Sequence, residues 1–271
     1  MMDWRPGRRD LLFMVDTLMP ESRDRERIVE LVEGDERFLE SMLDDERVFE
    51  RLMSGEEILL QVSPWLLFTV LLRRARRDLE GAPFTTERRS LQKVFVFDAD
   101  EVAELLGEDA LRGYLASTLA SFTRMESTTV TVRVGRGMWR RYRTNELDVE
   151  SLMRYSQALD EEQRFEPYRR IGDVCLFLSG VFPGAIEARY RYPMSGEVRP
   201  RARARTVVSR EDYEAHGQAF YRLASEHERA QMQGLERVLE ALSDHFILAE
   251  KALSFVADRY LGLMKQQLFE V

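Results

Sequence analysis

The stretch RFEPYRRIGDVCLFLSGVFPG, residues 164–184, decides the fold because a helix with one polar face becomes apolar on every side within it. Apolar residues recur there every three or four positions, as Phe165, Tyr168, Ile171, Cys175 and Leu178. The remaining faces of the last two turns are apolar too. The pattern predicts a helix that enters a core and stops at Gly180, with Pro183 preventing its resumption.

Asp173 lies where the polar half of this helix meets the buried half. It follows Arg169 by one turn and Arg170 by three residues, and residues at these spacings are neighbours on a helix surface. We therefore predict that Asp173 is a paired carboxylate that holds the helix in register beside Gly172. This role is structural and not catalytic.

A motif of the form R-x-G-D-x-x-L-F-x-x-G-x-F-P is carried here by Arg170, Gly172, Asp173, Leu176, Phe177, Gly180, Phe182 and Pro183. It resembles a group of uncharacterised bacterial helical proteins. The resemblance extends to EVAELLGEDALRGYLASTLASF, residues 101–122, and to YEAHGQAFYRLA, residues 213–224, so that it spans about half of the chain from its first segment to its last. It implies a single evolutionary unit and attaches no activity to it.

Composition places the chain among globular proteins. Its 271 residues are 44% hydrophobic, which is enough to bury a core in one large domain or two modest ones. The net charge of −8, from 40 basic and 48 acidic residues, argues against a protein that coats nucleic acid or anionic membrane with its whole surface. The single cysteine excludes a disulfide framework and predicts a cytoplasmic location.

One apolar run, ILLQVSPWLLFTVLL at residues 58–72, invites comparison with a membrane span. A spanning helix needs roughly 20 apolar residues, and Gln61 and the pair Ser63-Pro64 interrupt this run. Ser63-Pro64 reads as an N-cap followed by proline at the first helical position. We predict a buried helix that opens there and emerges into solvent at its arginines, Arg73, Arg74, Arg76 and Arg77.

The order of patterns predicts a mostly α fold, a helical bundle with one short strand and a small β-hairpin. We divide the chain into an acidic helical region 1–53, a helical unit with the hairpin at 54–146 and a C-terminal bundle 147–271. After a predicted loop at 81–89, VFVF at 94–97 reads as the strand. The alternating TTVTVRV at 128–134, a Gly-Arg-Gly tip and MWRRYRT form the hairpin.

The element order within 54–146 is also that of winged helix-turn-helix domains. In such a domain the helix at 109–124 enters the major groove and the hairpin at 128–144 follows the phosphates. The predicted contacts are Arg112, Arg133, Arg136, Arg140, Arg141 and Arg143. Against this hypothesis, residues 54–145 hold 14 basic and 12 acidic residues, and a nucleic-acid footprint is more basic. The alternative is a solvated hairpin.

A second basic series alternates with alanine in RPRARARTVV, residues 199–208. An extended conformation places its arginines on one side, which would bind an anion or an acidic partner surface; they are Arg199, Arg201, Arg203 and Arg205. The alternative is an exposed, solvated loop.

The sequence contains few of the residue spacings that are typical of metal sites or of catalytic nucleophiles. His216 and His227 are separated by roughly 16 Å along a helix, so they cannot bind one ion. No G-x-S-x-G element marks a nucleophile. We predict no catalytic residue, metal or cofactor, although a site assembled from distant residues such as His227 with Glu150 or Asp173 stays open.

These observations favour a non-enzymatic protein-interaction or regulatory module. Long helical stripes and many methionines suit adaptable helix interfaces, so we expect a homodimer. Two alternatives remain open. The first is a winged-helix nucleic-acid binder, and the second is a helical bundle that binds a small ligand or a metal.

Overall fold

A computed structural model describes residues 6–89, 92–123, 128–135, 138–144, 147–184, 186, 209–262 and 264–269. At 56, 59, 86–89, 92–94, 128–135 and 138–144 it describes the backbone only. The protein is mostly helical, as predicted. Contacts divide the chain into two compact units, a first unit of residues 2–124 with 255–271 and a second unit of residues 125–254. This division falls inside the predicted region 54–146.

The predicted helices that begin at Ser63-Pro64, near residue 109 and near residue 164 are all present in the described part of the chain. In chain order the helices are α1 (Arg8–Leu18), α2 (Arg25–Gly34), α3 (Glu36–Leu43), α4 (Glu46–Leu52), α5 (Glu56–Leu59), α6 (Pro64–Glu80), α7 (Ala99–Leu105), α8 (Asp109–Ser121), α9 (Val149–Gln157), α10 (Phe165–Val181), α11 (Arg210–Ser225), α12 (Glu228–Gln233), α13 (Glu236–Asp244), α14 (Phe246–Val256) and α15 (Met264–Phe269). A 3₁₀ turn (Glu161–Gln163) precedes α10, and a π-helix (Ala257–Leu261) follows α14.

Helix α6 is the central helix of the first unit and packs against α7 and α8. It begins as the sequence predicts, since the Ser63 hydroxyl accepts a hydrogen bond from Leu66 N at 3.1 Å and Pro64 occupies the first turn. Its first half is deeply buried. In the described part of the chain, no helix is both long and apolar enough to cross a membrane.

Four strands are described, and they form two separate antiparallel pairs. Strand β1 (Thr85–Arg89) pairs with β2 (Gln92–Val96), and β3 (Thr128–Gly135) pairs with β4 (Met138–Thr144). The second pair is the predicted hairpin. The first pair differs from prediction because β1 lies in the predicted loop: its sequence TTERR lacks apolar alternation, so pairing with β2 makes it a strand.

The C-terminal segment is tied to α6 by a charged cluster in the first unit. Asp78 accepts hydrogen bonds from the Tyr260 hydroxyl and from Arg259 Nε, each at 3.0 Å, and pairs with Arg74 at 2.8 Å. Burial and then the charge of Asp78 raise the pKa of Tyr260. The π-helix that carries Tyr260 ends at Gly262, whose φ of +49° favours glycine.

The second unit is organised by α10 against α11, and α11 also packs against α13. Close approach depends on glycines. A Cβ at Gly172 would lie 2.7 Å from the Tyr221 ring, and one at Gly217 would lie 2.2 Å from Phe246. The helix runs one residue beyond the predicted stop at Gly180 and ends at Val181, and a Cβ at Gly180 would lie 2.8 Å from Leu253 Cβ.

Local signals set the other boundaries of this unit. Ser209 and Asp212 form a capping box at the start of α11, with both reciprocal hydrogen bonds present. Helix α13 ends at Asp244 and α14 begins at Phe246, so His245 lies between them.

Candidate functional site

A cavity of about 450 Å³ lies inside the first unit, in the size range of small-molecule sites. Helices α1, α2, α3, α6 and α8 contribute its walls. The apolar part of the lining comprises Pro6, Leu11, Val32, Leu39, Leu43 and Ala110. An apolar wall of this kind can bury the body of an organic molecule.

One stripe of α6 supplies the polar groups of the cavity. Trp65, Thr69 and Arg73 follow one another at four-residue intervals, which places them on one face of the helix. All three line the same cavity. The cap at Ser63 sets where α6 begins, and it therefore sets the position of Trp65, which follows two residues later.

Each residue of the stripe carries a buried polar atom that lacks a hydrogen-bond partner among the described residues. The atoms are Trp65 Nε1, Thr69 Oγ1 and Arg73 Nε. Thr69 is only 5% exposed, so water does not freely replace the missing partner. Buried polar groups are nearly always paired, and leaving one unpaired costs about 1–3 kcal/mol. These three atoms are enclosed by neighbouring groups, so the place that a ligand can occupy is the cavity lined by the rest of these side chains.

Arg73 is held by two carboxylates of the α3 end. Its Nη2 lies 2.5 Å from Glu40 and its Nη1 lies 3.0 Å from Asp44. Arg73 is 8% exposed, so it does not emerge into solvent as the sequence predicted. The correction has an electrostatic cause, because carboxylates distant in sequence cover the guanidinium.

Arg112 lies at the same cavity and is 4% exposed. It donates to the Leu106 carbonyl at 2.7 Å and pairs with Asp109. Burial, and then the charge of Arg73, lower the pKa of the Arg112 guanidinium. The predicted nucleic-acid contact at Arg112 is therefore corrected, since a side chain enclosed in this way does not reach phosphates.

The helix predicted to enter a DNA groove is α8, and it is a core helix. Of its residues only Asp109, Ala110 and Ser121 are exposed. Its buried residues lie on several faces, as Leu111, Arg112, Tyr114, Leu115, Ala116, Thr118 and Leu119. A recognition helix needs an exposed face, so the burial of α8 weighs against the winged-helix hypothesis.

The remaining predicted basic residues are not described as side chains. Strand β3 contains Arg133, and strand β4 contains Arg140, Arg141 and Arg143. Arg136, Arg199, Arg201, Arg203 and Arg205 lie outside the described residues. The predictions for the hairpin and the 199–208 loop therefore stay predictions.

Asp173 lies in the second unit and is 2% exposed. Its Oδ1 accepts a hydrogen bond from the Tyr221 hydroxyl at 2.9 Å, and Arg169 Nη1 lies 3.8 Å from Oδ2. Sequence reasoning proposed Arg169 and missed Tyr221, which is 48 positions away. The ring of Tyr221 lies on Gly172, so the aromatic partner and the neighbouring glycine belong to one arrangement.

Metal-binding and thiol chemistry find no support in the described part of the chain. There, no three His, Cys, Asp or Glu residues group closely enough to hold a metal ion. His227 caps α12 by accepting from Arg229 N. Cys175 is buried, and burial followed by the charge of Asp173 raises the pKa of its thiol.

An exposed aromatic cluster lies around the first hairpin. Phe95 and Phe97 are 62% and 83% exposed, and Phe84 contacts both rings at centroid distances of 4.5 and 6.4 Å. This cluster bears on the predicted protein-interaction role, because exposed aromatic groups are enriched at interfaces.

Comparison of the chain with protein families, with curated proteins and with solved structures finds no match. The resemblance of residues 164–184 to bacterial helical proteins stays a prediction.

Proposed function

We propose that this protein is a non-enzymatic module that binds a small organic molecule in the α6 cavity. The observation that supports the proposal is the cavity of about 450 Å³, which is lined by apolar residues together with Thr69, Arg73 and Arg112. Apolar walls with a few convergent polar groups are the usual composition of a ligand site.

The lining favours binding over catalysis. Among the residues described around the cavity there is no Cys, His, Ser or Lys, the usual nucleophiles and proton carriers apart from carboxylates. The carboxylates Glu40 and Asp109 are engaged by Arg73 and Arg112. Paired groups of this kind hold a shape and do not transfer protons readily.

Ligand-observed NMR with a library of neutral aromatic fragments tests the proposal. The blocking variant is Ala110→Phe, because Ala110 is exposed at the start of α8 and lines the cavity. Ala215→Phe, at an exposed alanine of α11 in the second unit, is the matched control. We expect fragments to bind wild type and Ala215→Phe and to lose binding in Ala110→Phe.

Two results would contradict this proposal. If no fragment of any charge binds wild type, the cavity is not a ligand site. If Ala110→Phe binds fragments as tightly as wild type, the site lies elsewhere. Circular dichroism confirms that both variants keep their helices.

The protein-interaction role and the homodimer stay predictions of the sequence, as does the cytoplasmic location. The cluster Phe84, Phe95 and Phe97 offers the place to test the dimer. If it mediates self-association, Phe95→Ser with Phe97→Ser lowers the mass measured by light scattering from dimer to monomer. If light scattering gives the mass of a monomer for the wild-type protein, the homodimer prediction is wrong.

A further inference from the structure

The base of the hairpin formed by β1 and β2 carries three exposed aromatic rings. Phe95 lies in β2, and Phe97 directly follows this strand. Because they are two positions apart in extended backbone, they share one face, and both are largely exposed. Phe84, directly before β1, contacts both rings. Adjacent exposed apolar side chains mark interaction sites more often than isolated ones do.

The register of the hairpin places two basic residues on that same face. Arg88 pairs with Lys93, which precedes Phe95 by two positions along β2. Residue positions alternate between the two faces of a strand, so these three residues share a face. The only acidic residue of the two strands, Glu87, is next to Arg88 and belongs to the other face. Like charges directly opposite each other destabilise an antiparallel pair, so this face is complementary to an added carboxylate.

The hairpin also has an open edge. Its sheet contains two strands, so β2 pairs with β1 on one side and with no other described strand on the other. Apart from this pairing, no described element packs extensively on either strand. An unpaired edge offers N–H and C=O groups to a further strand, and a two-stranded hairpin alone is only marginally stable in water. A third strand would therefore stabilise the hairpin.

These features fit one kind of partner. We propose that an extended segment of another protein adds to the edge of β2 as a third strand, with apolar residues at one end of its inward face and acidic residues at the other. Its backbone would pair with β2, its apolar side chains would cover Phe95 and Phe97, and a carboxylate would lie beside Lys93. No residue of the hairpin lines the α6 cavity, so this site is independent of the proposed ligand.

The charges favour such a partner over a second copy of this chain. Two copies joined at the edges of their β2 strands would place two Arg88 and two Lys93 residues on one face, where they would repel one another. An acidic strand replaces this repulsion with attraction. A lipid surface fits less well, because it supplies no strand backbone for the edge of β2.

A pair of synthetic peptides tests this surface. The probe is fluorescein-labelled TVTVTETEG, which carries two valines and then two glutamates on one face of an extended strand. The matched peptide TVTVTKTKG has lysine in place of glutamate. By fluorescence anisotropy we expect the glutamate peptide to bind the full chain at least about tenfold more tightly than the lysine peptide. Its binding should also slow amide hydrogen exchange in β2, because strand addition pairs the edge.

A charge reversal in the hairpin gives the sharpest variant. Lys93→Glu places a carboxylate opposite Arg88, which is an attractive pair, so the hairpin should keep its fold. We expect this variant to bind the lysine peptide more tightly than the glutamate peptide. The control is Arg237→Glu, at an exposed position of α13, because it changes the net charge equally. It should keep the wild-type preference.

Several results would overturn the proposal. One is equal binding of the two peptides by wild type, and another is the same preference in Lys93→Glu as in Arg237→Glu. Peptide binding that leaves exchange in β2 unchanged would show that no strand is added. Binding of vesicles of phosphatidylserine and phosphatidylcholine, but of neither peptide, would assign the face to a lipid surface. A dimer that dissociates in Phe95→Ser with Phe97→Ser would assign it to a second copy.

Discussion

The interior of α10 and the inner face of α6 bury polar groups in opposite ways. At α10, Asp173 meets the Tyr221 hydroxyl at 2.9 Å, and glycines let neighbouring rings approach until no space remains. At α6, Thr69 is as deeply buried but faces a cavity of about 450 Å³ and lacks a partner among the described residues. Close packing with paired groups serves stability, whereas an open space with unpaired donors lowers stability and is expected where a ligand binds.

The closed packing of α10 and α11 predicts the largest effect. In Gly217→Ala the added methyl group would lie 2.2 Å from the buried Phe246 ring, so the ring or a helix must move. We expect the free energy of unfolding to fall by about 2–3 kcal/mol. Urea denaturation measures it, with Gly184→Ala as control because nothing lies within 4 Å of a Cβ there. Similar stabilities for the two variants would show that α10 is not closely packed.

The pairing of Asp173 predicts the next effect. Tyr221→Phe removes the hydroxyl that donates to Asp173 and leaves a buried carboxylate oxygen without that bond. We expect a loss of about 2 kcal/mol in unfolding free energy. Tyr168→Phe, at a half-buried tyrosine on α10, is the control and should change little. A loss below about 0.5 kcal/mol in Tyr221→Phe would contradict the pairing.

Exclusion of water around α10 predicts a pH dependence. Burial raises the pKa of the Cys175 thiol in the folded protein, while the unfolded thiol ionises near its usual value of about 8.5. The folded state therefore holds its proton to higher pH, and stability is lost as pH rises above that value. Between pH 7 and pH 10 we expect wild type to lose about 1–2 kcal/mol more than Cys175→Ala. Parallel losses in both proteins, measured by urea denaturation at each pH, would show that water reaches the thiol.

The Thr69 hydroxyl on α6 predicts the smallest effect. Its removal should raise the free energy of unfolding, whereas the three changes above should lower it. Thr69→Val removes a buried hydroxyl that lacks a partner among the described residues and keeps the shape of the side chain. We expect the ligand-free protein to gain about 1 kcal/mol. Thr17→Val is the matched control in the same unit, because Thr17 donates to Phe13 O at 2.6 Å and accepts from Arg51 at 2.9 Å, so its loss destabilises. If Thr69→Val and Thr17→Val are destabilised equally, the Thr69 hydroxyl is paired as well as the Thr17 hydroxyl is, and the contrast between α6 and the rest of the fold is wrong.

Short-range signals were predictable from the sequence. The cap at Ser63, the capping box of Ser209 with Asp212 and the hairpin at 128–144 all depend on residues within a few positions of one another. They are therefore visible in a single chain without knowledge of its packing.

Long-range pairing was not predictable in the same way. The partner of Asp173 is Tyr221, and the partners of Arg73 are Glu40 and Asp44, each separated by at least 29 positions. Sequence reasoning therefore placed Arg73 in solvent. The four-residue spacing of the α6 stripe was present in the sequence, but only the tertiary fold shows that its residues line one cavity.

The start of α6 is fixed by a residue of α1. Both carboxylate oxygens of Asp10 accept from Ser63, at 2.7 Å from its backbone N and 2.6 Å from its hydroxyl, and Ser63 in turn caps α6. Trp65 follows Ser63 by two residues, so this contact between α1 and α6 also sets the place of Trp65 at the cavity. We therefore expect a preformed cavity, for which the observed rate of association rises linearly with ligand concentration and does not reach a plateau set by a slow rearrangement.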